Sequence, residues 1–385
     1  MNMKKLVVAI YTDYFQPMRY NGGGLEVYIE TIKRELERRG HKVFVVTSGP
    51  KKLEDYYSNR KDIIVLHGFR VYKLNPYFGL HLDLLDIDKR LIEMKPDVIH
   101  IQSVYTMGLL GIKVSKFLNV PVIATNHTFN TSYASIASYV SKNKLVVKSI
   151  QSMLINYLRW FYKRTKVVIS PSLFIKRELN SYGIHNVSVL YDGVDLSKLK
   201  TNKSMAEARR ILGISKNDKV ILYLSRVSAE KNISLFIRAA KGLEKDGVKS
   251  IVAGSGKDLE KYKELSRDLG LKNIKFTGFV DDDKKKLYYK AADVFCFPSE
   301  FETQGLVAIE AMAAGTPVVA PKGTAQAEII KPGINGETFK KGDLADFINK
   351  INKVLENRRK YRTKQAVKEF DVRKHVSKLL KIYTS

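Results

Sequence analysis

Short apolar runs alternate along this chain with longer stretches of helical period. The run KKLVVAIY at Lys4 to Tyr11 precedes a helix-period segment from about Glu26 to Arg39. HKVFVVTS, DIIVLHG, DVIHIQ, PVIAT and VVISPS then recur with helix-length spacers. Strand-length runs that alternate with helical segments predict a parallel sheet covered by crossover helices. A second series, VILYL, SIVAG, IKFTG, VFCFP and TPVVAP, begins near Lys219. Between the two lies a polar segment, around Leu196 to Lys216, that loses strand periodicity and holds a short helix. The pattern predicts an α/β protein of two domains, residues 1–200 and 201–365, followed by a basic terminal helix over 366–385.

Length and composition fit that division, since 385 residues that are 44% hydrophobic can bury two cores. The opening MNMKKLVVAIY carries charge and an apolar run, but it is short, lacks a small-residue cleavage site and leads into Asp13, so it reads as the first strand. No stretch reaches the roughly 18 apolar residues that a membrane-spanning helix needs. The single cysteine, Cys296, excludes a disulfide framework and sits in the apolar run DVFCFP as a buried thiol. A reducing, cytoplasmic setting is the simplest context for it. Cys296 and the histidines show no metal-ligand spacing. Lys plus Arg number 67 against 39 for Asp plus Glu, a net charge of +28, and a field of that size draws anionic partners. Nucleic acid is not expected among them, because no zinc module, aromatic RNP-like motif or recognition helix is present.

Candidate chemistry concentrates in SEFETQGLVAIEAMAAGTP, Ser299 to Pro317. Gly305 lets the backbone approach a ligand closely, and a helix beginning near Leu306 offers its first N–H groups to an anion such as a diphosphate. Glu302 before the turn and Glu310 within the helix are strong acceptors for sugar and ribose hydroxyls. An ordinary amphipathic helix explains Leu306 to Ala313 equally well but leaves the TQG turn unexplained. In LSRVSAEKN, Arg226 and Lys231 follow a strand end five positions apart and can place two cations over one diphosphate.

Several motifs in order, GGGLEVYIETIKRELERRGHKV, PDVIHIQ, VPVIATNHT, VVISPS, LYDGVD, LYLSRVSAEKN, VAGSGKDLEKYKEL, IKFTGFV and the Ser299 to Pro317 stretch, resemble retaining glycosyltransferases of family 4. The resemblance covers nearly the whole chain. It implies the GT-B fold, two Rossmann-like domains facing each other across a cleft, and transfer of a glycosyl unit from a nucleotide-diphosphate sugar without a metal or other cofactor. It implies catalytic roles for Glu302, His127, Arg226 and Lys231. It implies donor contacts from Gly23, Gly24, Arg226, Lys231, Gly254, Thr303, Gln304, Gly305, Leu306 and Glu310. The terminal helix is expected to cross back onto the first domain.

For the acceptor, HTFNTSYASIASYV and the segment after it resemble members that glycosylate diacylglycerol lipids. Val147, Ile150, Met153, Leu154, Tyr157, Leu158 and Phe161 fall at helical spacing among Lys144, Lys148, Arg159, Lys163 and Arg164, with Trp160 beside them. Such a helix suits either a domain core with a cationic outer face or an anionic membrane surface at the cytoplasmic side. The acceptor is expected to be a membrane lipid or lipid-linked saccharide, with a soluble sugar or glycan as the alternative. LYDGVD, with Asp192 where a neutral polar residue is common, and Asn126 before His127 depart from the family pattern. From other classes, a sugar-nucleotide epimerase or a non-catalytic basic binding protein would also fit the architecture.

Overall fold

The computed structural model describes residues 4–15, 24–70, 79–81, 87–127 and 143–385. The chain divides into two compact units, one of residues 1–193 with 372–385 and one of 194–371.

The first unit is built on a parallel sheet in the order β3-β2-β1-β6-β7-β8-β9. Its strands are β1 (Val7–Tyr11), β2 (Lys42–Gly49), β3 (Ile63–His67), β6 (Val98–Ile101), β7 (Val122–Thr125), β8 (Val167–Ser170) and β9 (Val187–Val189). Two-residue strands β4 (Phe69–Arg70) and β5 (Gly79–Leu80) pair separately and antiparallel. Alternation along β1 splits the core in two. Val8 and Ile10 face the Gly24–Arg38 helix and the terminal Val372–Thr384 helix. Ala9 and Tyr11 face the Thr106–Leu118 and Lys144–Tyr162 helices. Successive strand residues point to opposite faces, so a sheet covered on both sides must be apolar throughout.

The second unit repeats the plan with β10 (Lys219–Leu224), β11 (Val248–Ala253), β12 (Ile274–Gly278), β13 (Val294–Cys296), β14 (Val318–Pro321) and β15 (Gly336–Phe339), in the order β12-β11-β10-β13-β14-β15. Cys296 is fully buried in β13. In each sheet the winding direction reverses once, between β1 and β6 and between β10 and β13. Turns diverge at such a point and leave a crevice beyond the strand ends.

The units divide at Gly193 and Asp371 rather than at residues 200 and 365. Val194 bridges to Asp371 and its N–H donates to the Phe370 carbonyl at 2.8 Å, so the chain enters and leaves the second unit side by side. The polar stretch after residue 200 folds into a helix, Met205–Leu212, closed by a Ser204/Glu207 capping box. Edge strands β9 and β15 escaped the sequence pattern because they are short, and VSV and GETF carry too few apolar residues to show a period.

The terminal helix buries Val376, Leu379, Leu380 and Tyr383 against the first sheet. Leu379→Ala removes a fully buried side chain there and should cost the first unit about 2–4 kcal/mol. A lowered urea midpoint of that unit would check it.

Candidate functional site

The crevice of the second unit gathers most of the predicted donor residues. The Tyr223 hydroxyl donates to the Arg226 carbonyl at 2.9 Å and fixes the turn leaving β10. A short helical turn, Ala229–Lys231, follows, and Asn232 in a left-handed conformation redirects the chain into the Ile233–Leu243 helix. That bend brings Lys231 Nζ to 2.5 Å from Glu302 Oε1, on the turn leaving β13. Both side chains are largely buried, at 13% and 14% exposure. Arg226 stays 58% exposed and pairs with Glu230 at 3.0 Å, an acid that also accepts from Ser228 Oγ. Glu300, which the sequence reading passed over, accepts from Asn232 and pairs with Lys341 at 3.0 Å.

Thr303 and Gln304 form the turn after Glu302, with Gln304 buried. Gly305 then takes φ +89°, and a Cβ there would stand 2.8 Å from Gln326 Cβ. Only glycine meets both constraints. The Leu306–Ala313 helix starts from this residue. Ser299 Oγ and Gln326 Oε1 lie buried behind the turn with no hydrogen-bond partner among the described residues. Glu310, expected to hold a ribose, accepts from Lys285 at 3.1 Å and from the Tyr289 hydroxyl at 3.0 Å. A carboxylate has about four acceptor positions, so capacity for hydroxyls remains. Burial works against charge on Lys285, but Glu310 and Asp282 outweigh it and hold its pKa above the ordinary lysine value. The Asp281 side chain accepts from the Lys284 N–H and caps the Asp282–Ala291 helix.

Gly254 serves packing first. Its φ is +137°, and a Cβ would fall 2.0 Å from the Ser225 carbonyl, so only a bare backbone lets the turns after β10 and β11 touch.

In the first unit, Gly24 opens the Gly24–Arg38 helix and is exposed, while Gly23 lies outside the described residues. At the β1/β6 crevice the chain supplies its own anion. Buried Asp13 accepts from Ser103 and Thr106 at 2.6 Å each and from the Met107 N–H at 3.0 Å, which caps the Thr106–Leu118 helix. Burial raises its pKa to about 6 although those hydrogen bonds oppose the rise. The two crevices therefore differ in charge: a carboxylate fills one, and ion pairs line the other.

His127 belongs to a buried polar cluster of the first unit. Its Nε2 lies 2.6 Å from Gln102 Oε1, its Nδ1 3.9 Å from Asp192 Oδ2, and its ring meets the edge of Tyr28. The terminal helix adds His375, 3.0 Å from the Tyr28 hydroxyl, and Tyr383, whose hydroxyl is 2.7 Å from His100 Nδ1. Burial lowers the pKa of His127 and His100 to about 3 and of His375 to about 4. The same burial lifts Asp192 to about 7. Along the chain His127 and Asp192 stand out, whereas His100, Gln102 and His375 do not. His100 and Gln102 sit in the run DVIHIQ, where polar residues interrupt an otherwise buried strand.

On the Lys144–Tyr162 helix, Val147, Leu158, Phe161 and Tyr162 are buried, whereas Leu145, Val146, Met153 and Trp160 are exposed. The Arg164 guanidinium stacks 4.0 Å over Trp160. The HT…Y…Y stretch from Thr128 to Lys142 lies outside the described residues. Among the described residues no helix is long and apolar enough to cross a membrane, and no group of His, Cys, Asp or Glu could hold a metal ion.

Residues 22–198 match the model of Glycosyltransferase Family 4, and residues 204–369 that of Glycosyl transferases group 1. Among curated proteins, the alpha-monoglucosyldiacylglycerol synthase of Streptococcus pneumoniae is 34% identical, over 81% of this chain and 70% of that protein. The D-inositol 3-phosphate glycosyltransferase of Corynebacterium diphtheriae is 29% identical, over 84% and 79%. Among solved structures, Anabaena HepE in complex with UDP and glucose has a TM-score of 0.73 at 20% identity, over 98% of this chain and 99% of that one. This likeness shows a shared GT-B fold.

The Asp192 carboxyl titrates near 7 when folded and near 4 when unfolded, so between those values the folded state holds the extra proton and stability falls as pH rises. Asp192→Asn lacks that loss. Relative to the parent, its first unit should gain stability from pH 4 to pH 7, read as the difference in urea midpoints at the two pH values.

Proposed function

The chain belongs to family 4 of the glycosyltransferases, and on that premise we propose that it moves a hexosyl unit from a nucleotide-diphosphate sugar to an acceptor hydroxyl with retention of configuration. The observation that carries the reading is the Lys231–Glu302 pair at the β10/β13 crevice. A partly buried ammonium held by a carboxylate beside a glycine turn suits a substrate that presents a diphosphate next to sugar hydroxyls. In this reading Lys231 and Arg226 hold the diphosphate and offset the charge that grows on it as the glycosidic bond breaks. Glu302 accepts hydrogen bonds from the sugar, the turn from Thr303 to Leu306 lies along it, and Glu310 takes the ribose. The cationic side chains take the part that a metal ion would otherwise play. Attack comes from the face the diphosphate leaves, with its departing oxygen taking the acceptor's proton, and His127 meets a sugar hydroxyl.

The acceptor we propose is a membrane lipid or lipid-linked saccharide. The net charge of +28 and the exposed Leu145, Val146, Met153 and Trp160 among basic residues support docking at an anionic surface. The similarity to a monoglucosyldiacylglycerol synthase points the same way. A small soluble acceptor is the second reading, favoured by the similarity to a D-inositol 3-phosphate glycosyltransferase.

Lys231→Ala and Arg226→Ala should each lower kcat with a nucleotide-sugar donor by about 10²- to 10³-fold in a folded protein. Product mass spectrometry across a donor panel, with lipid extract and soluble sugars as acceptors, reads the effect. Full activity in both variants would overturn the diphosphate assignment. Co-sedimentation with anionic vesicles should be strong at low salt and weaken as salt rises, each basic side chain at the surface contributing about 1 kcal/mol. No binding at low salt would remove the argument for a membrane surface.

A further inference from the structure

We propose that Gln102 is a positioning residue that sets the tautomer of His127: its amide oxygen takes the Nε2 proton and leaves Nδ1 as the acceptor of the ring. The inference rests on the reading of His127 as a group that meets substrate. An amide oxygen has no proton to give, so at 2.6 Å the imidazole must be the donor. The opposite end of the amide shows which way round it lies. Gln102 Nε2 stands 3.1 Å from both ring nitrogens of His100. Those nitrogens already have partners at 2.7 Å, Tyr383 OH on Nδ1 and Thr125 Oγ1 on Nε2. A neutral imidazole keeps one bare nitrogen, which an amide N–H can meet, whereas a carbonyl oxygen there would face its lone pair. The Gln102 N–H donates to the Tyr11 carbonyl at 2.8 Å, which holds the backbone at the end of β6. His100, Thr125 and Tyr383 therefore orient Gln102, and Gln102 orients His127.

Burial keeps the His127 ring neutral, so one of its nitrogens is bare. With Nε2 protonated, that nitrogen is Nδ1, which faces Asp192 Oδ2 at 3.9 Å, beyond hydrogen-bond length. A substrate hydroxyl that meets His127 would donate to it. The ring would then hold a hydroxyl by accepting, and would not supply a proton to the leaving group.

The test is a two-bond proton–nitrogen NMR spectrum of the full chain labelled with nitrogen-15 histidine, with the His127 signals assigned by their loss in His127→Gln. The parent should show the Nε2–H tautomer. Gln102→Leu, which lacks the acceptor, should shift toward a mixture and lower kcat about ten- to a hundredfold, with the donor KM little changed. Gln102→Glu keeps an acceptor oxygen and should retain the Nε2–H pattern. An Nδ1–H tautomer in the parent, or an unaltered pattern in folded Gln102→Leu, would overturn the proposal. The expected shift in Gln102→Leu, together with a parent that transfers sugar from no donor, would leave the positioning role standing and count against the transfer reading alone.

Discussion

Where a parallel sheet reverses its winding, two neighbouring strands send their outgoing chains in opposite directions, and the space beyond the strand ends is left open. Both units have this geometry. What differs is the charge that the following turns deliver: Asp13 with its hydroxyl and N–H donors after β1, and Arg226, Lys231 and Glu302 after β10 and β13. A buried carboxylate repels a diphosphate and occupies the helix N-terminus that would have held it. One architectural constraint, used twice, yields one crevice filled by a carboxylate and one lined by ion pairs.

The ion pairs of the second crevice also explain how a cationic site is kept in order. Lys231 and Glu302 hold each other in place through two turns that only tertiary packing brings together. Gly254 lets two backbones touch, and Gly305 lets the turn lie against the Gln326 side chain, in each case where a Cβ would collide. Burying an ammonium without a partner is costly, so the carboxylate stabilises the lysine in the absence of substrate.

In the first unit the terminal helix does more than cover an apolar face. It inserts His375 and Tyr383 into the cluster that contains His127, and the buried histidines stay neutral there. Neutral imidazoles in a buried network act through tautomer and direction, which hydroxyl and amide partners determine.

Much of this was legible along the chain. Apolar runs of strand length, spaced by helical segments, specify two parallel sheets because a strand buried on both faces has no other composition available to it. The spacing of Arg226 and Lys231, the TQG turn and the acids around it marked the second crevice, since those residue types at a strand end have few purely structural uses. The exchange of partners was not legible. Glu302 pairing with Lys231, Glu310 with Lys285, and Gln102 with His127 join residues 71, 25 and 25 positions apart. A linear pattern carries the period of each element, whereas a hydrogen bond between turns depends on which strands lie side by side, and that is decided only when the sheet has formed.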